Sequence, residues 1–424
     1  MKYGINTLDD FDFKGKTVFC RLDLNSPYDK QNDRLKDITR IEAAIPTIKE
    51  LCGKGAKLVL ASHQGGDLEY QNFKSTKQHA AVISELMAKS VNFIDDICGP
   101  YARKQIEKLK DGEILLLDNV RYMSEEMTLF ETKLKLSAEE QTKTYTILKL
   151  APFIDIYVCD AFAAAHRNQP TLVAFEFLIR SCMGRLFERE YEVLSRIMSS
   201  PEKPSVFVLG GAKIEDAFLM LPAVLGKKIA DKVITSGLLG QLFYLAKGIS
   251  LGALSEEIVY KKKLDEYIPI AKKILEQYPD RIILPYDFAA EKDGSRREFA
   301  IIDLPSELMI SDIGKKTIEA YKKIISQSKT VFINGPAGIF EKKQSELGTK
   351  EIWEHIASTD SFSVIGGGDS ISAVNKYNLK EGFSYICTGG GAMVRFLSGE
   401  ELPVVRALKE AASRFKSSKG TCCR

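Results

Sequence analysis

Seven residues with reactive or charged side chains stand at the ends of four apolar runs in the first half of the chain. Arg21, Asp23 and Asn25 close "TVFCRLDLNSP" (17 to 27), and His63 closes "AKLVLASHQGG" (56 to 66). Arg121 closes "EILLLDNVRY" (113 to 122), while His166 and Arg167 close "IDIYVCDAFAAAHR" (154 to 167). Desolvating a guanidinium is costly without a partner, so three arginines placed after apolar runs point to convergence on a small anion. A single histidine in such a place is as readily a satisfied structural residue. Arg40, in "ITRIEAAIPTI", opens an amphipathic helix and taken alone reads as a surface residue.

The second half ends its apolar runs in glycine instead. These are "SVFVLGGAKIEDAF" (205 to 218), "DKVITSGLLGQLF" (231 to 243), "TVFINGPAGIFE" (330 to 341), "FSVIGGGDSISAV" (362 to 374) and "FSYICTGGGAMVRFL" (383 to 397). Backbone N–H groups bared at a helix start suit phosphate oxygens. Lys213, two residues after Gly211 in "GGAK", adds a mobile point charge that can reach one of them. Neither the G-x-x-x-x-G-K-[ST] nor the G-x-G-x-x-G spacing is present, which counts against a P-loop and a dinucleotide fold. Each triplet has a plainer reading as a tight packing turn, and Asp369 could simply cap its helix. A carboxylate among phosphate oxygens is otherwise best used to hold Mg²⁺.

The elements that must carry these residues follow from a repeated unit: a short, largely β-branched run, a turn, then a helical pattern. That alternation predicts an α/β fold of two doubly wound parallel-sheet, Rossmann-like domains, with ligands beyond the carboxyl ends of the strands. A chain of 424 residues, 45% apolar, is long enough for two such cores. The expected division is 1–180 for an anion-binding domain, 181–200 for a hinge helix ("LFEREYEVLSRIM", bracketed by Gly184, Pro201 and Pro204), 201–400 for a nucleotide-binding domain, and 401–424 for a C-terminal segment able to pack back on the first domain. Lys+Arg 60 against Asp+Glu 57 excludes a nucleic-acid or membrane-surface binder working through bulk charge. The first ten residues, "MKYGINTLDD", lack a signal-peptide pattern, so a cytoplasmic protein is expected. Eight cysteines without a CxxC pair read as reduced thiols, and "GTCCR", with Cys422 and Cys423, as a frayed tail.

A small-anion half and a nucleotide-phosphate half joined by a hinge is the layout expected of a kinase that closes to exclude water. A hinged binding protein and a dehydrogenase are the alternatives. The ordered motifs "RLDLNSP", "TRIEAAIPTI", "LASHQGG", "LDNVRY", "CDAFAAAHR", "LGGAK", "DIGKKT", "NGPAGIFE", "IGGGDS" and "TGGGA" make the chain resemble the phosphoglycerate kinases over essentially its whole length, in wording closest to their archaeal branch. The resemblance implies Mg²⁺-dependent transfer between ATP and the carboxylate of 3-phosphoglycerate, giving ADP and 1,3-bisphosphoglycerate; a monomer is expected, with a dimer left open. It implies that Arg121, Arg167 and His63 grip the substrate phosphate, while Asp23, Asn25 and Arg40 hold its hydroxyl and carboxyl end. It implies Arg40, Lys213, Gly367 and Gly390 at the transferred group, and Asn334, Gly366, Gly367, Gly368, Asp369 and Ser370 around the nucleotide phosphates. Glu341 would meet the ribose, Gly210, Gly211, Gly237 and Gly314 the adenine, and Asp369 the metal. Two departures stand out. Gly66 occupies the place of the family's arginine in "SH-x-G-R", with Arg103 a candidate substitute, and Ala217 replaces a second lysine common outside the archaeal branch.

Overall fold

The computed structural model describes residues 1 to 66 and 73 to 417, so Cys422 and Cys423 lie outside the described residues. The chain divides into two compact units, one of residues 1–192 with the C-terminal segment from 401, the other of residues 193–400.

In the first unit, β1 (Thr17–Arg21), β2 (Lys57–Ala61), β3 (Asn92–Ile94), β4 (Ile114–Leu117), β5 (Ile156–Cys159) and β6 (Arg180–Met183) form a parallel sheet in the order β3-β4-β2-β1-β5-β6. A parallel sheet covered on both faces needs strands apolar on both sides, and all four residues of "ILLL" in β4 are buried. The helix α1 (Thr39–Gly53) covers one face through Ile41, Ala44, Ile48 and Leu51, at the spacing of one helical stripe, against Val18, Leu58 and Val158. Each such side chain, fully buried, contributes about 1.5–3 kcal/mol. A helix runs Arg185–Ser199, and the division between units falls inside it. The helix Pro403–Ser417 packs on β6 within the first unit.

In the second unit, β7 (Ser205–Leu209), β8 (Lys232–Thr235), β9 (Ile282–Ile283), β13 (Thr330–Asn334), β14 (Phe362–Gly366) and β15 (Tyr385–Cys387) form a parallel sheet ordered β9-β8-β7-β13-β14-β15. Strand order reverses between β7 and β13, so a crevice opens beyond their carboxyl ends. A three-stranded antiparallel sheet, β11-β10-β12, is added from β10 (Asp287–Lys292), β11 (Ser295–Ala300) and β12 (Ile310–Ile313). The sequence reading holds no counterpart of it. "SRREFA" in β11 is mostly polar and part-exposed, which a search for apolar runs passes over. β3, β6 and β9 also have no counterpart in the sequence reading: "NFI", "RSCM" and "II" present at most two consecutive strongly apolar residues.

No helix of the described residues is long and apolar enough to cross a membrane. The six described cysteines are free, and all but Cys52 are buried.

Candidate active site

Beyond β1, β2, β4 and β5, the first unit carries the cationic residues. Asp23, two residues past β1, accepts from Arg40 Nη1 at 2.8 Å, and its other oxygen accepts from the Asn25 amide at 3.1 Å. Burial would raise this carboxyl, but Arg40, His63 and the Asn25 N–H outweigh it and hold Asp23 well below the usual carboxylate range. Asn25 Oδ1 in turn accepts from Gly65 N at 2.9 Å, tying the loop after β1 to the loop after β2.

Arg121 is 3% exposed, donates to the Gly65 carbonyl and lies 5.9 Å from the Phe73 ring centroid. Burial, then repulsion from Arg167 and Arg21, depress its pKa to about 10. Arg121 stays charged at neutral pH, and the repulsion from two further guanidiniums that adds to its burial is of the kind a bound anion would relieve. His63, also buried, is kept well below the imidazole range by burial and by the same three arginines, with Asp23 opposing, so at neutral pH it offers a neutral ring. Arg167 reaches Thr128 Oγ1 at 3.2 Å and Glu131 at 3.9 Å.

In the second unit two cavities lie at the strand ends. The smaller, about 100 Å³, is lined by Gly210, Gly211, Lys213, Asn334, Gly367, Gly368, Asp369, Ser370, Gly390 and Gly391. A Cβ built on Gly368 or Gly390 meets nothing within 4 Å, so these glycines leave amides open rather than admit a neighbour. Gly366 differs: a Cβ there would lie 2.2 Å from Met393 Sδ, which is a packing constraint. Lys213 is exposed and makes no ion pair among the described residues. Asp369 does not cap its helix, Gly368–Lys376; Gly367 is the N-cap, at φ 95°, and the exposed Asp369 carboxylate stands in the first turn, bordering both cavities. Ser370 Oγ is engaged, accepting from Gly335 N at 2.9 Å.

The larger cavity, about 500 Å³, has walls of Leu238, Ile258, Phe288, Ile310, Ile313 and Phe340, with Gly211 and Gly237 at one end and the exposed Glu341 at its edge. A flat apolar slot beside a lobe of bare amides has the shape of a site for a base and its phosphates.

A family model described as phosphoglycerate kinase matches residues 8–400. The chain is 43% identical over 413 residues to the phosphoglycerate kinase of Thermococcus kodakarensis, covering 96% of this chain and 98% of the relative. It is 42% identical over 416 residues to that of Pyrococcus abyssi, covering 97% and 99%. The crystal structure of the Pyrococcus horikoshii OT3 enzyme superposes with a TM-score of 0.88 at 42% identity over 96% of this chain and 99% of that one. That of Coxiella burnetii gives 0.79 at 29%, over 96% and 100%. The chain belongs to the phosphoglycerate kinase family. It is therefore a kinase of archaeal phosphoglycerate kinase type.

Of the residues that the family resemblance assigned to adenine, Gly211 and Gly237 line the apolar cavity and Gly210 the smaller one. Gly314 lines neither. It is a glycine because the Asp287 carboxylate crowds it, with a hypothetical Cβ 2.3 Å from Asp287 Cγ; that carboxylate accepts from Thr317 N at 2.8 Å and Lys316 N at 3.0 Å and so caps the helix Lys315–Ser326. The wall from this segment comes instead from Ile310–Ile313. Arg103 donates to the Cys98 carbonyl at 2.6 Å rather than to any member of the cationic set. Gly66 is exposed, and a Cβ on it would meet nothing within 4 Å among the described residues. Ala217 is buried, 4% exposed.

The structure also shows a frame that the sequence reading did not single out. Gln64 pairs with Ser26 in both directions, at 2.8 and 3.0 Å. Asn119 Oδ1 accepts from the Gln64 and Arg121 amides, while its Nδ2 donates to the Gln64 carbonyl at 2.8 Å. Both sit in the quoted strand-end runs, so their position was the available signal.

Proposed function

We propose that the chain catalyses reversible phosphoryl transfer between ATP and the carboxylate of 3-phosphoglycerate, with Mg²⁺. The observation that carries this is the convergence of Lys213, Asp369 and unfilled glycine amides on one cavity that adjoins an apolar slot, in a chain of this family. The first unit's arginines supply the complementary half: Arg121, Arg167 and neutral His63 take the acid's phosphate. Asn25 and Arg40 take its carboxyl end, Arg40 being held in place by the buried carboxylate of Asp23.

The acid's carboxylate is ionised near pH 7, so it attacks phosphorus without a general base and the P–O bond to ADP breaks as the new one forms. What the protein supplies is position and positive charge, Lys213 and the amides of Gly367, Gly368 and Gly390 at the nucleotide's phosphates and Arg40 at the acid's carboxyl end. Asp369 fits a metal role, because its carboxylate is exposed, unused by its own helix and beside the amide-lined cavity. Mg²⁺ there would neutralise phosphate oxygens, as one or two carboxylates plus phosphates usually allow. Free, mostly buried thiols accord with a reducing, cytoplasmic setting.

A coupled assay with ATP, Mg²⁺ and 3-phosphoglycerate should show turnover that chelation of the metal abolishes. No turnover at millimolar substrate would reject the proposal. Gly66 favours a second reading, a kinase for another small carboxylic acid, because none of the described residues lies within 4 Å of where the family's arginine would start. On that reading Gly66→Arg sharply raises kcat/KM for 3-phosphoglycerate; an unchanged value rejects it.

A further inference from the structure

Gln241 stands out within the apolar cavity. It lies on the helix Gly237–Ala246, one turn after Gly237 and on the same face, and it is 4% exposed. It lines the cavity, yet neither atom of its amide has a hydrogen-bond partner among the described residues, and Oε1 is sealed from solvent. A buried amide without a partner is destabilising unless something arrives to pair with it.

The other polar side chains lining the cavity are accounted for. Ser311 Oγ is bonded to Ser345 Oγ at 2.7 Å. Asp312 Oδ2 accepts from Arg296 Nη1 at 2.7 Å and Gly348 N at 2.8 Å. Its Oδ1 is unpaired but wedged against backbone, 2.5 Å from a hypothetical Cβ on Gly338 and 2.4 Å from one on Gly348, so it is not available to a ligand. Lys262, Glu341 and Asp369 are exposed. Gln241 is left as the buried polar group whose partner must come from the cavity's occupant.

A primary amide presents one donor and one acceptor side by side, and a half-turn of its terminal torsion exchanges them. The edge it matches is one with the same pair in opposite sense, such as the 6-amino group of adenine and its neighbouring ring nitrogen, a bidentate pairing that glutamine makes readily. We infer that Gln241 is a specificity-determining residue that hydrogen-bonds the 6-amino edge of the purine base. This rests on the reading of the apolar cavity as the base site, and goes beyond it by naming the residue that reads the base and the atoms read.

The test is a cycle between residue and ligand. Calorimetry would give dissociation constants for ADP and for purine riboside 5′-diphosphate, which lacks the 6-amino group, on the full chain and on Gln241→Leu. In the unaltered protein, removing the amino group should weaken binding about tenfold, the usual worth of a hydrogen bond. In Gln241→Leu the two ligands should bind within about twofold of each other, with kcat for ATP little changed and KM raised. Gln241→Glu is the second variant, in case the leucine perturbs packing. As an acceptor only, it keeps the 6-amino contact of ADP and opposes only the adjacent N7, whereas both O6 and N7 of IDP oppose it, so discrimination between ADP and IDP should widen tenfold or more. Additive effects in the cycle, or unchanged ADP/IDP discrimination in Gln241→Glu, would overturn the role of Gln241. Failure of the unaltered protein to bind ADP at all would overturn the nucleotide reading beneath it, so the two failures are told apart.

Discussion

The two roles open to a glycine, clearing space for a neighbour or baring an amide, separate cleanly inside one triplet. Gly368→Ala adds a methyl where nothing lies within 4 Å, at a helical position. It should therefore stabilise slightly, by about 0.4–1 kcal/mol, through the unfolded chain. The same methyl intrudes on the small cavity that Gly368 lines, so kcat/KM should fall. Gly366→Ala forces Met393, fully buried, out of its place and should cost about 1–3 kcal/mol of stability. Thermal melts and steady-state kinetics on both variants check this pattern; two variants that lose stability alike would mean the triplet is only a packing turn. Asp369→Ala belongs to the same scale. The side chain is exposed and caps nothing, so the melting point should stay put. Turnover with Mg-ATP should drop by about 10²-fold or more, the usual cost of removing one electrostatic stabiliser.

Among the elements, the helix Arg185–Ser199 begins on a buried acid. Asp160, directly after β5, accepts from Phe187 N at 3.0 Å, and its other oxygen has no hydrogen-bond partner among the described residues. Burial raises its pKa to about 7 against the amides of Phe187 and Leu186, Thr47 and Arg185, from an ordinary value of 3.8. The folded chain thus binds this proton more tightly than the unfolded one. The resulting stability is complete below about pH 4 and is lost as pH rises through about 7. Asp160→Asn keeps the shape and cannot ionise. Its melting point relative to the parent should climb between pH 4 and 7 and level off above; a pH-independent difference would show that folding leaves the acid's pKa unshifted, and a climb that continued above pH 7 that it stays protonated there. Elements of this kind also show what sequence alone conveys. Parallel strands were legible because burial on both faces demands unbroken apolar runs such as "ILLL" and "SVFVL". "DFAAEK" and "SRREFA" carry no such run and owe their pairing to each other, so the antiparallel sheet was not. The strand-end arginines and glycines could be read from position, whereas Gln241, set in the apolar helix "GLLGQLFYLA", could be recognised only once its amide was seen to lack a partner.

For the molecule as a whole, a formal charge of +3 across 424 residues leaves little bulk field, so any strong response to anions must come from a local concentration of charge. Arg21, Arg121 and Arg167 are that concentration, since their mutual repulsion adds to burial in lowering the pKa of Arg121. Folding holds these charges together and is opposed by them. A divalent anion that binds between them only in the folded state should raise the melting point by mass action, by about 2.7 kcal/mol at a hundredfold excess over its dissociation constant. For a unit of roughly 200 residues that is about 5–10 °C. Sulfate should therefore stabilise far more than chloride at equal ionic strength, and 3-phosphoglycerate should do so at much lower concentration than either. Arg121→Met removes one of the three charges and the repulsion with it, so the sulfate increment should shrink by at least half while the anion-free protein loses little. Scanning calorimetry at fixed ionic strength makes the comparison. Equal shifts with sulfate and chloride would mean that the arginines are already compensated in the folded chain, and that the first unit holds no anion site.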